Sequence, residues 1–168
     1  MAHEAPKRVQ PGFKEIDLTK FREDPQLGGY YPYASWQAQT LGKLFGFMLR
    51  HDLDAPGDSA GRVPFTYLMD KVKKRHDGLQ HATRQQVLIT LVGNHRFRFF
   101  GTSTRELNSC EYMSAAQGHT KENVNLHEAA KLMAFNDLPW VIVHLTNYRN
   151  LVSILRQGLV PGLSHIHI

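Results

Sequence analysis

Thr83-Arg84-Gln85-Gln86-Val87-Leu88-Ile89-Thr90-Leu91-Val92 runs into Gly93-Asn94 and then His95-Arg96-Phe97-Arg98-Phe99. The hydrophobic period changes inside this stretch. Val87, Leu88, Leu91 and Val92 recur at helical spacing, with Thr83 as N-cap. Gly93-Asn94 turns the chain. Basic and aromatic residues then alternate, as on a half-buried strand. A helix feeding a basic ribbon is therefore predicted.

Two more helices precede it. Leu41, Leu44, Phe45, Met48 and Leu49 form an apolar stripe behind Thr40, a plausible N-cap, and the helix closes at His51-Asp52 before Pro56-Gly57-Asp58. Phe65, Leu68, Met69 and Val72 form a second stripe, with Lys71, Lys73, Lys74 and Arg75 alongside. Three helices followed by a basic ribbon resemble a winged-helix lobe, which binds nucleic acid through a basic face. The alternative is that these charges solvate the outer face of a small bundle. The predicted class is α+β, with this lobe over residues 36–100 and a flexible arm over residues 1–35. The arm carries Pro6, Pro11, Pro25, Gly28-Gly29 and Pro32.

The whole chain has 168 residues, and Lys plus Arg exceed Asp plus Glu by 20 to 15. A net charge of +5 permits a polyanionic partner without requiring one. The lone Cys110 cannot form an internal disulfide and is expected as a small packed residue. No apolar run is long enough for a membrane helix, and Met1–Gln10 lacks a secretory h-region. Cytoplasm or nucleus is the expected location.

Residues 102–112 read as a polar connector. Ala115-Ala116-Gln117-Gly118-His119-Thr120 then clusters an amide, an imidazole and a hydroxyl around a glycine. Alone this is an ordinary polar turn. Its company matters: Leu49-Arg50-His51 ends a helix, and Val143-His144-Leu145-Thr146 ends a predicted strand over residues 138–143. Val124 and Leu126 suit a short strand, residues 128–134 a short helix, and Asn150–Gln157 an amphipathic helix. The Arg50-His51 pair also has a plain reading, as cations favoured at a helix C-terminus. His165-x-His167 sets two imidazoles on one strand face, but no carboxylate or Cys stands at ligand spacing, so no metal is expected.

Over residues 40–168 the order of these pieces resembles the NAD-dependent RNA 2′-phosphotransferases of the KptA type. Leu49-Arg50-His51 is similar to that family's first motif, and Gly61-x-Val63 to its next turn. Thr83–Val92 with His95-Arg96-Phe97 is similar to its third helix and basic strand. Ala115-x-Gln117-Gly118-His119-Thr120 resembles its Arg-Ala-x-Gln-Gly-His-Ser loop, His144-Leu145-Thr146 its His-Gly-Thr, and His165-Ile166-His167 its His-Val-His.

The resemblance implies a winged-helix lobe for RNA and an ADP-ribosyltransferase-like lobe for NAD, the latter partial over residues 112–168. It implies transfer of an internal RNA 2′-phosphate to NAD, giving ADP-ribose cyclic phosphate and nicotinamide. The implied substrate is spliced tRNA, handled by a monomer. Carried over residue by residue, Arg50, His51 and His119 are catalytic. Gln117, Gly118, Thr120, His144 and Thr146 hold NAD, and Lys43, Arg96 and Arg98 face RNA. The departures are Ser114 where the loop's arginine stands, Leu163-Ser164 where a second arginine is expected, and Leu145 for glycine. The family's later strands have no counterpart before Ile168. An impaired enzyme is the implied outcome, and a non-catalytic RNA-binding relic is the alternative.

Overall fold

The computed structural model describes residues 12–23, 35–75, 78–116, 118–129 and 146–157. The chain divides into two compact units, Met1–Ala130 and Lys131–Ile168. The first unit carries the fold. Its elements are β1 (Lys14–Glu15), α1 (Thr19–Glu23), α2 (Trp36–Arg50), β2 (Val63–Pro64), α3 (Phe65–Arg75), α4 (Arg84–Val92), β3 (Phe97–Gly101), β4 (Cys110–Ala115) and α5 (Leu126–Ala129). The described part of the second unit holds α6 (Tyr148–Gln157).

The sheet is antiparallel, with strand order β1-β3-β4-β2. Phe97 and Phe99 alternate with Arg98, so both aromatics enter the helix-facing core. There Phe45 of α2 meets Phe65 and Phe97, at ring separations of 6.2 and 6.4 Å. The apolar stripes of α2, α3 and α4 supply much of the rest of the core, and strand and loop residues such as Val63, Leu79 and Met113 complete it. α4 opens on a capping box: Thr83 Oγ1 accepts from Gln86 N and Gln86 Oε1 accepts from Thr83 N.

Several local expectations change. α2 begins a turn before Thr40, because the Ser35 hydroxyl accepts from Ala38 N at 3.2 Å and caps it. Cys110-Glu111-Tyr112 is strand rather than connector, held by pairing with β3 and β2. So residues 112–115, assigned to the NAD lobe, lie in the first unit's sheet. Residues 126–129 are helical, which excludes the short strand through Leu126. α6 starts at Tyr148, two residues early. Within the expected arm, β1 pairs with β3, and Ile16 and Leu18 join the core. Cys110 is fully buried, which pushes its thiol up to about 12. The strand expected over residues 138–143 and the His165–His167 segment lie outside the described residues.

Candidate functional site

The site is built where α2 stops. Its last turn leaves carbonyls without helical partners. The loop after β4 returns to fill them. Thr120 N–H and its hydroxyl both reach Arg50 O, at 3.2 and 3.1 Å, and Lys121 Nζ donates to Met48 O at 3.1 Å. Lys121 is buried there, and burial lowers its pKa. This capping joins residues seventy positions apart, and it sets Arg50, His51, His119 and Thr120 around one helix end.

His119 is fixed on two sides. Its Nε2–H donates to Ala115 O at 3.0 Å. Its ring lies on Gly61, where an added Cβ would fall 2.7 Å from Cε1. Gly61 has φ +70°, the left-handed region, so the turn needs glycine for its backbone as well. Asp58 builds that turn: its Oδ1 accepts from Ala60 N at 3.0 Å and Arg62 N at 2.8 Å. Burial lowers the His119 pKa, and nearby Lys121 and Arg50 act in the same direction. These effects favour the neutral ring, although the bond to Ala115 O opposes them, and in that form Nδ1 is an acceptor that becomes a donor once protonated.

Among the described residues, the buried side-chain polar atoms without a hydrogen-bond partner are Arg50 Nε and Nη2, Arg62 Nε, Ser114 Oγ and His119 Nδ1. Leaving such a group unpaired costs about 1–3 kcal/mol each, more when charged. Arg50 and His119 act on each other electrostatically. Arg62 follows Gly61 in the chain, and the β2–β4 register places it beside Ser114. The Arg62 guanidinium itself sits over the Phe100 ring, with its Nε 3.9 Å from Asp58 Oδ2. Burial, with the Arg96 charge nearby, lowers the Arg50 pKa, yet among the described residues no carboxylate pairs with its guanidinium. Exposed Arg96 adds positive charge. Such a corner suits an anion with several acceptor oxygens.

The predicted residues fare differently. Arg50, His51, His119 and Thr120 are assembled, and Gly118 stands between β4 and them with φ +79°. Lys43 is exposed two turns before Arg50 on α2. Arg98, expected on an RNA face, is committed elsewhere: Nε and Nη2 grip Glu15 at 3.0 and 2.8 Å, and Nη1 donates to Ala129 O at 2.6 Å. The sequence does not separate it from Arg96, because its partners lie far away in the chain. Thr120, expected on NAD, has its hydroxyl on Arg50 O and within reach of His51. Thr146 belongs to the second unit, and Gln117 and His144 lie outside the described residues. The NAD set therefore lies largely beyond the described part of the first unit. Gly61 was named only as part of a turn, not as the seat of His119, and Arg62 and Lys121 were missed. The Asp-x-x-Gly turn at Asp58–Gly61 was the available signal.

Among the described residues no group of His, Cys, Asp or Glu side chains is placed to hold a metal ion. No helix among them is long and apolar enough to cross a membrane. A family model described as RNA 2′-phosphotransferase, Tpt1 / KptA family, matches residues 37–168. Comparisons with curated proteins and with solved structures find no match.

Proposed function

The chain belongs to the RNA 2′-phosphotransferase, Tpt1 / KptA family, and from that premise we propose that the α2 corner receives an RNA 2′-phosphate for transfer to NAD. The observation that carries this reading is the pair of buried Arg50 nitrogens, Nε and Nη2, which have no hydrogen-bond partner among the described residues and act electrostatically on His119. A phosphate supplies the acceptors that Arg50 Nε and Nη2 lack, and it raises the His119 pKa by adding negative charge beside it. Transfer of a phosphoryl group concentrates charge on its oxygens, and preorganised donors stabilise that charge. Arg50 holds the phosphate, and His51 and His119 hold or move protons at its edge.

NAD supplies the acceptor ribose when bound, with ADP-ribose cyclic phosphate and nicotinamide as products. Gly118 leaves the loop backbone free to approach it, and His144, Thr146 and Gln117 complete the proposed set. We read α2, β2, α3 and α4 followed by the β3–β4 hairpin as a winged-helix arrangement. Lys43 and Arg96 are its RNA-facing cations, and spliced tRNA bound by a monomer is the proposed substrate form. Arg98 is left out of the RNA face because each of its three guanidinium nitrogens already donates within the fold.

A second reading rests on Ser114. It is fully buried where the family's loop carries an arginine, so one phosphate-gripping cation is gone. Losing a donor of this kind typically costs about 10²–10³-fold in kcat. That favours an impaired enzyme or a non-catalytic RNA-binding relic. Incubation with a 2′-phosphorylated oligoribonucleotide and NAD separates them. Release of the 2′-phosphate, lost in Arg50→Ala, supports the enzyme; RNA binding with no release at high protein concentration supports the relic.

A further inference from the structure

His51 closes α2, and its Nδ1 lies 2.9 Å from Thr120 Oγ1. The same hydroxyl lies 3.1 Å from Arg50 O, and Thr120 N–H reaches that carbonyl at 3.2 Å. A carbonyl only accepts, and a hydroxyl has one hydrogen to give. That hydrogen goes to Arg50 O. Otherwise two oxygens would face each other at 3.1 Å with no proton between them. The carbonyl also belongs to the negative end of α2, which strengthens it as an acceptor. With its hydrogen used, Oγ1 accepts from the imidazole. The chain Nδ1–H to Oγ1–H to O=C then runs in one sense, each bond polarising the next.

We propose that Thr120 is a positioning residue that fixes the Nδ1–H tautomer of His51, so that Nε2 is the nitrogen presented to the reacting groups. In the neutral ring Nε2 carries a lone pair and takes a proton from a hydroxyl nucleophile. The imidazolium then returns that proton to the departing oxygen, and the ring ends as it began. Phe47 lies beside the ring, at a centroid separation of 6.0 Å. The catalytic consequence rests on the reading of this corner as a 2′-phosphate site; the tautomer does not. It also reassigns Thr120 from nucleotide contact to support of an imidazole, as ligand histidines are oriented through their second nitrogen.

Long-range proton–nitrogen NMR of the nitrogen-15-labelled full chain tests this, with His51 identified by loss of its signals in His51→Gln. In the neutral ring, the expected pattern is a protonated Nδ1 and a bare Nε2. Thr120→Ser keeps it. Thr120→Val moves the tautomer ratio about 2- to 10-fold toward Nε2–H, the worth of one net hydrogen bond. Where turnover is measured, kcat falls by a similar factor in Thr120→Val and returns in Thr120→Ser, with KM little changed. A wild-type ring protonated at Nε2 overturns the proposal. So does an unchanged nitrogen pattern in a Thr120→Val protein that melts like wild type. If the wild-type protein releases no 2′-phosphate, the phosphotransferase reading fails while the nitrogen pattern still decides the tautomer.

Discussion

Two arginines in the first unit have the same side chain and opposite commitments. Arg98 spends its guanidinium on the fold: two nitrogens grip Glu15, and the third caps Ala129 O. Arg50 ends α2 with two buried nitrogens that nothing among the described residues accepts from. Burial alone does not tell a structural cation from a functional one; the tally of partners does. A satisfied guanidinium holds elements together. An unsatisfied one costs stability in the free protein and regains it when an anion arrives.

The largest expected break of this contrast is Arg50→Ala. It should lower 2′-phosphate release by about 10²–10³-fold. Its melting temperature should match or exceed the wild type, because two unpaired buried donors are removed. Single-turnover assays and thermal melts check both halves. A large loss of stability would place Arg50 with Arg98.

Gly61→Ala comes next. The left-handed backbone costs a non-glycine residue about 1–2 kcal/mol, and the new Cβ pushes on His119. Chemical denaturation should register that loss, and turnover should fall further than stability alone accounts for. Normal turnover in a destabilised Gly61→Ala protein would remove His119 from the working set. Arg98→Met should destabilise by about 1–2 kcal/mol, toward the low end because Glu15 is partly exposed. RNA 2′-phosphate binding should be unchanged, and a matched loss of affinity would restore Arg98 to the site.

The smallest effect concerns pH. His119 has a lowered pKa in the fold, so the unfolded chain takes up the proton first as pH falls. Stability should therefore decline as pH drops through the ordinary histidine range near ~6.5, and the decline should flatten in His119→Gln. Denaturation midpoints across that range give the comparison. A bound phosphate should reduce the slope by raising the His119 pKa.

The periodic parts of this fold were legible in sequence. The stripes of α2, α3 and α4 follow the helical period, and the Thr83 cap forms as its residues suggest. β4 was not legible in its first half, because Cys110-Glu111-Tyr112 shows no clean alternation and is strand only by its neighbours. Nor was β1, whose two residues matter through Phe100 and Gly101 far along the chain. Within the site, the motifs named Arg50, His51, His119 and Thr120, but not their duties. Arg96 and Arg98 look alike in sequence. They separate only once Glu15 and Ala129 are brought to one of them. Thr120 reads as a ligand contact until the end of α2 is in place beneath it.

The direct test of the central claim is a titration with two oligoribonucleotides that differ only by one internal 2′-phosphate, at a single fixed salt concentration. The phosphorylated strand should bind about 10- to 100-fold more tightly, the worth of charge-assisted hydrogen bonds to a buried guanidinium. That difference should collapse in Arg50→Ala and survive in Arg98→Met. Equal affinities for the two strands would contradict the account.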